Sequence, residues 1–107
     1  MEEFIQVTTA AGSRKEAEKI AEAIVAARLA ACAQVIGPVS SVYWWEKRVE
    51  KAEEWLCLMK TRRDLFGALS DEIRKLHSYS VPEIIATPII EGQPDYLRWL
   101  ADETRTD

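Results

Sequence analysis

Trp55-Leu56-Cys57-Leu58-Met59 is apolar at every position. Successive side chains of a β-strand point to opposite faces, so a run of this kind buries both sides of the sheet it enters. Working outward, Glu54 to Lys60 reads as a returning strand that leaves a hairpin in the charged Glu50 to Glu53 region, after an extended arm from Ser40 to Arg48. Ala31 to Ile36 is the strand before it, broken at Gly37-Pro38. Further upstream, Phe4 to Thr9 alternates as a first strand, and Ser13 and Glu16 have the spacing of a capping box. The helix they open runs to about Arg28, with Ala17, Ile20, Ala21, Ile24 and Val25 on one face. Downstream, Thr61 and Asp64 are placed to cap a second helix whose stripe is Leu65, Phe66, Leu69, Ile73 and Leu76, ending near His77. Ile84 to Ile90 is the last main strand, and Pro94 opens a short third helix carrying Tyr96, Leu97 and Leu100. The order β-α-β-β-α-β with a terminal helix predicts an α+β, ferredoxin-like sandwich over residues 1–107, a single domain with both crossover helices on one face of an antiparallel sheet.

Two crossover helices cover one face only. Apolar residues at both parities recur in Ala31-Cys32-Ala33-Gln34-Val35-Ile36, in Ile84-Ile85-Ala86 and in Ile89-Ile90, so the second face also needs cover. A large exposed apolar patch is unusual on a monomer, which predicts a homo-oligomer. Tyr43, Trp44 and Trp45 add to this, because three consecutive aromatics on a hairpin cannot share one face.

The formal net charge of -4 argues against nucleic acid as a partner, since phosphate binding needs a basic surface. No apolar stretch is long enough to span a bilayer and no charged leader precedes an apolar run, so the expected setting is cytoplasmic, without a membrane partner. The cysteines, Cys32 and Cys57, resemble neither a disulfide framework nor a zinc spacing.

The candidate site centres on Leu76-His77-Ser78-Tyr79-Ser80-Val81-Pro82-Glu83-Ile84-Ile85-Ala86, which holds the only histidine and runs from a helix end through Pro82 into a strand. His77 has two readings, a cap on the second helix and a metal ligand. As a ligand it would need Cys32 and carboxylates such as Glu83, Glu46, Glu53 or Glu54 to join it across subunits.

This junction, together with Ala27-Arg28-Leu29-Ala30-Ala31-Cys32-Ala33-Gln34-Val35, Val42-Tyr43-Trp44-Trp45-Glu46, Lys60-Thr61 and Gly92-Gln93-Pro94-Asp95-Tyr96-Leu97-Arg98-Trp99-Leu100, resembles the CutA family, small trimeric proteins linked to divalent cation tolerance. The resemblance implies a ferredoxin-like homotrimer with sheets facing inward and hairpins reaching to neighbours. It also implies binding of divalent ions, copper first, through a cysteine at the end of the first strand and a histidine pair. This chain departs from that pattern: Thr8 stands at the cysteine position, Leu76 at the first histidine and Ser78 at the proline that follows the second. His77, Glu83 and Cys32 remain as metal candidates, and no organic cofactor is implied.

By fold analogy a second reading is a PII-like signalling or scaffold trimer that holds a small anionic ligand in clefts between subunits. Arg28, Gln34, Tyr43, Trp45, Lys60 and Tyr79 would line such a cleft, Arg28 and Lys60 favouring the anion. An enzyme reading would use Cys32 as nucleophile and His77 as base. Cys32 lies among alanines, where apolar surroundings raise a thiol pKa, and the chain has no glycine-rich phosphate loop and no G-x-S-x-G, so the expectation is a non-enzyme.

Overall fold

The computed structural model describes residues 3–105. Its elements are β1 (Phe4–Ala11), α1 (Arg14–Ala26), β2 (Cys32–Trp45), β3 (Arg48–Arg62), a 3-10 turn (Arg63–Leu65), α2 (Phe66–Leu76), β4 (Ile84–Ile89) and α3 (Pro94–Asp102). The four strands form one antiparallel sheet in the order β2-β3-β1-β4. This is the split βαβ arrangement, in which each crossover helix joins consecutive strands that are not adjacent in the sheet, a third strand lying between them.

The core forms where α1 and α2 lie on the sheet. Ile5, Val7, Cys57 and Met59 meet Ile20, Ile24, Leu69 and Ile73, and all but Ile5 are fully buried. Register puts these strand residues on one face, since Val7 pairs with Met59 and Thr9 with Cys57. Burial pushes the Cys57 thiol up to about 11, the behaviour of a small core hydrophobe rather than a nucleophile.

Residues of the opposite parity line the second face. There Gln34 pairs with Leu58, Leu58 with Thr8, and Thr8 with Ile85. α3 reaches one end of this face, where Tyr96 Oη lies 3.7 Å from Cys32 Sγ and Arg62 donates to Thr104 Oγ1 at 3.0 Å. The other end is bare, with Ile36 49% and Ile85 53% exposed.

Three expectations change in detail. The hairpin turns at Glu46-Lys47, not at Glu50 to Glu53, which lie inside β3. Both turn residues have positive φ, 49° and 66°, the geometry whose twist matches a two-residue hairpin loop. Gly37-Pro38 does not end a strand, for β2 continues through it. Between the pairs Ile36↔Leu56 and Val39↔Glu54, β2 advances three positions and β3 two, so one extra residue bulges here. Neither Thr61 nor Asp64 caps α2: Thr61 Oγ1 donates to the Leu29 carbonyl at 2.7 Å, and Asp64 accepts from Arg62 at 3.0 Å.

Gly37 allows the bulge to close over β3, because a Cβ placed on it would sit inside the Trp55 indole. Gly37→Ala is expected to lower unfolding stability by about 1–3 kcal/mol, the range for forcing a methyl into packed side chains. Urea denaturation of the two proteins measures it, and an unchanged midpoint would refute the close packing of Trp55 on the bulge.

Candidate functional site

The helix α2 ends on His77, whose backbone N–H still bonds to the Ile73 carbonyl at 2.9 Å while its own ψ of 140° turns the chain into an extended path. The residue is 8% exposed and its side chain is fully buried. Nε2 lies 2.8 Å from the Ala10 carbonyl and Nδ1 lies 3.2 Å from the Tyr79 backbone nitrogen. A carbonyl only accepts and an amide only donates, so Nε2 carries the proton and Nδ1 is bare. Both ring nitrogens are thus engaged by backbone groups of two segments, and the Glu16 carboxylate lies 3.7 Å from Nδ1. His77 sits at the cap position, as one of its two readings had it, but its ring bonds to β1 and not to the end of its own helix.

Neighbouring contacts fasten the rest of the junction. Glu16, at the start of α1, accepts from the Ser78 N–H at 2.7 Å and from Ser78 Oγ at 3.0 Å. Only half of the expected capping box forms, because the Ser13 hydroxyl accepts from the Glu16 N–H at 3.1 Å while the Glu16 carboxylate turns to Ser78. The Tyr79 ring lies tilted by 45° against His77, with centroids 4.8 Å apart, and its hydroxyl donates to Glu54 Oε2 at 2.9 Å. Burial first, then the hydrogen bond and negative charge of Glu54, push the Tyr79 phenol up to about 12. Tyr79 therefore remains a donor across the whole physiological range.

Beside this junction lies a cleft of about 710 Å³, walled on one side by Ser41 to Trp45 of β2 and on the other by Tyr79, Ser80, Val81 and Glu83, with Ala10 and Glu54 also lining it. The bulge decides which aromatics share a side of the sheet with Glu54. Past Ile36 the single extra residue reverses the alternation, so Val39, Ser41, Tyr43 and Trp45 pair with Glu54, Ala52, Glu50 and Arg48. Tyr43 and Trp45 thereby share a side of the sheet with Glu54.

The cleft brings together Tyr43, Trp45, Tyr79 and Glu83 from the sequence candidates and adds Glu54 and Trp44. Arg28, Gln34, Lys60 and Cys32 do not line it. Arg28 donates to the Glu103 carbonyl at 3.1 Å, and Lys60 donates to Gln34 Oε1 at 2.9 Å on the second face. The charged residues lining the cleft are Glu54 and Glu83, so its sign is opposite to the anion-binding expectation.

The metal candidates are likewise not assembled within one chain. Cys32 opens β2 beside Tyr96, the His77 nitrogens are engaged, and among the described residues no three histidine, cysteine or carboxylate groups stand close enough to hold an ion. A closed zinc or copper centre of nitrogen and sulfur ligands does not fit this donor set.

Fold and junction define an α+β sandwich of the split βαβ class with an acidic, aromatic cleft where the second helix enters the last strand. Residues 5–103 match the family model for the CutA1 divalent ion tolerance protein, and the chain belongs to that family. The divalent-cation tolerance protein CutA of Thermus thermophilus is 41% identical over 104 residues, which cover 97% of this chain and 99% of that protein. The chloroplastic CutA 1 of Oryza sativa is 40% identical over 93 residues, 87% of this chain, and the match spans only 52% of the rice protein. Among solved structures, rice CutA1 superposes with a TM-score of 0.95 at 37% identity, covering 98% of this chain and 96% of that one. The periplasmic divalent cation tolerance protein CutA of Archaeoglobus fulgidus gives 0.87 at 39% identity, covering 96% and 98%.

Tyr79→Phe is expected to cost about 1 kcal/mol by leaving Glu54 without its donor. With the folded phenol raised from 10 to about 12, the unfolded chain releases its proton first, so stability present below pH 10 is lost as pH rises toward 12. Urea unfolding on both sides of that window should show the alkaline loss reduced in Tyr79→Phe. Equal losses in both proteins would remove the phenol from the account.

Proposed function

We propose that the protein serves divalent cation tolerance as a non-enzymatic homotrimer. It meets copper or another divalent ion through carboxylate oxygens of the assembly, not through a closed nitrogen and sulfur centre in one chain. The observation that carries the reading is the bare end of the second face, where Ile36 and Ile85 lie exposed beside the half-buried Leu56 and Leu58. The hairpin extends this apolar surface on the same side of the sheet, for Tyr43 is 40% and Trp45 44% exposed. Burying such residues contributes roughly 25 cal/mol per Å², so a second and third copy gain more from this face than water does. The proposal keeps the cytoplasmic setting, where thiols such as those of Cys32 and Cys57 stay reduced. Fractionation of the source cells tests that part.

A PII-like sensor trimer is the second reading, favoured by the cleft beside the junction. Its ligand would have to suit Glu54 and Glu83 in place of the Arg28 and Lys60 expected to draw an anion.

Sedimentation equilibrium at micromolar concentration is expected to give the mass of three chains, and Ile36→Glu to shift the distribution toward monomer. A monomeric native protein would overturn the assembly. Calorimetric titration of copper(II) into native protein and His77→Gln, both checked for oligomer state, is expected to give affinities within about threefold of one another. Loss of binding in His77→Gln alone would show that the imidazole leaves its backbone partners to ligate.

A further inference from the structure

We propose that Glu16 is a positioning residue that keeps His77 from ligating a divalent ion, by holding Ser78 so that the Tyr79 N–H occupies the imidazole Nδ1. All the contacts involved lie within one chain, so neither the assembly nor the carboxylate-bound ion of the preceding reading enters.

An imidazole offers a metal only a nitrogen that carries no proton and has no other partner. Nε2 of His77 is not that atom. It bonds at 2.8 Å to the carbonyl of Ala10, a residue held in the sheet by its pairing with Leu56. Nδ1 is the weaker point, because its donor is 3.2 Å away and belongs to Tyr79, in the stretch between α2 and β4 that is neither helix nor strand. What fixes the Tyr79 amide is therefore what closes the ring to a metal.

Glu16 fixes it. From the first turn of α1, its Oε2 accepts the Ser78 N–H at 2.7 Å and its Oε1 accepts the Ser78 hydroxyl at 3.0 Å, so Ser78 is held by both its backbone and its side chain. With planar peptides, only φ and ψ are free to turn, and ψ of Ser78 is the torsion that aims the next amide, that of Tyr79. The same Oε2 lies 3.7 Å from Nδ1, so the carboxylate also stands beside the nitrogen whose donor it positions. Glu16 and His77 do not themselves make a metal site. Both Glu16 oxygens are engaged by Ser78, and among the described residues no third histidine, cysteine or carboxylate stands close enough to complete one.

The test uses the native assembled protein, Glu16→Ala and Glu16→Gln. The glutamine amide can still accept the Ser78 N–H and donate to its hydroxyl, whereas alanine releases both. Ser13 caps α1 through the Glu16 backbone N–H, so the start of the helix survives either change. One readout is the rate at which diethyl pyrocarbonate acylates His77, the only histidine in the chain. The other is imidazole nitrogen coupling in the electron paramagnetic resonance spectrum of added copper(II). Expected are slow acylation and no imidazole coupling in native protein and Glu16→Gln. In Glu16→Ala acylation should be faster by about tenfold, the factor for releasing one hydrogen bond, and copper should show a coupling that disappears in the double variant with His77→Gln. If Glu16→Ala fails to fold, Glu16→Asp, whose carboxylate stops one methylene short of Ser78, carries the same comparison. Acylation of the folded variant at the native rate would overturn the proposal, as would Glu16→Gln behaving like Glu16→Ala. Fast acylation without copper coupling would overturn the exclusion of metal, and so would imidazole coupling already present in the native protein. Acylation involves no ion, so failure of the divalent-ion reading leaves that readout intact.

Discussion

The buried imidazole of His77 joins three parts of the chain. Nε2–H donates to the Ala10 carbonyl near the end of β1, Nδ1 accepts from the Tyr79 amide, and the residue itself closes α2. A buried ring with one donor and one acceptor can satisfy a carbonyl and an N–H that would otherwise lie unpaired away from water. Serine or asparagine offers the same chemistry but lacks the length to link two strands of backbone across the helix end. Where Tyr79 stands, and hence where Glu54 finds its hydroxyl donor, follows from this link. To ligate a metal, His77 would have to give up one of these backbone partners, so a structural role and a ligand role compete for the same two atoms.

A second constraint is the parity of β2. In a regular strand, Cys32, Gln34 and Ile36 on the second face would be followed there by Pro38, Ser40, Val42 and Trp44. The bulge between Ile36 and Val39 adds one residue, and Tyr43 and Trp45 occupy that side in their place. One backbone irregularity thus sorts three consecutive aromatics into two that share a side with Glu54 and one, Trp44, on the opposite parity. Gly37 is what lets the bulged segment lie on the Trp55 indole, so the cleft is traceable to a residue that does not line it.

Much of the architecture was legible because helix and strand periods differ. Ala17, Ile20, Ala21 and Ile24 are buried as their spacing required, and so are Leu69 and Ile73. The run Trp55 to Met59, apolar at both parities, lies in β3, which the sheet places centrally between β2 and β1. The turn was misplaced because Glu46 and Lys47 adopt positive φ without being glycine or asparagine, and a charged stretch four residues later gave the stronger surface signal. Gly37-Pro38 reads as a stop in sequence, whereas glycine and proline inside a strand pattern also mark a bulge. At the site, Tyr43, Trp45, Tyr79 and Glu83 were recognisable as a group, but Arg28 and Lys60 were drawn in by sequence proximity to the same motifs. Their partners, Glu103 and Gln34, are set by α3 and by β2, which no local pattern reveals. Glu54 was named only as one of several carboxylates that could join a metal, although the strand read from Glu54 to Lys60 already gave it the parity of Leu56 and Leu58.

The two faces of the sheet solve the same problem differently. On the first, α1 and α2 bury Val7, Cys57 and Met59 within one chain. On the second, α3 covers only the end bearing Cys32 and Arg62, and the remainder mixes Leu56, Leu58, Ile36 and Ile85 with the polar Gln34 and Thr8. A face meant for water would carry charge at these positions, and a face meant for a helix of the same chain would carry no glutamine. Apolar residues interrupted by groups that can hydrogen-bond are what a surface shared between copies requires, since it must remain soluble until the copies meet. Under the proposed assembly, identical copies would supply both the apolar area and the partners for its polar groups.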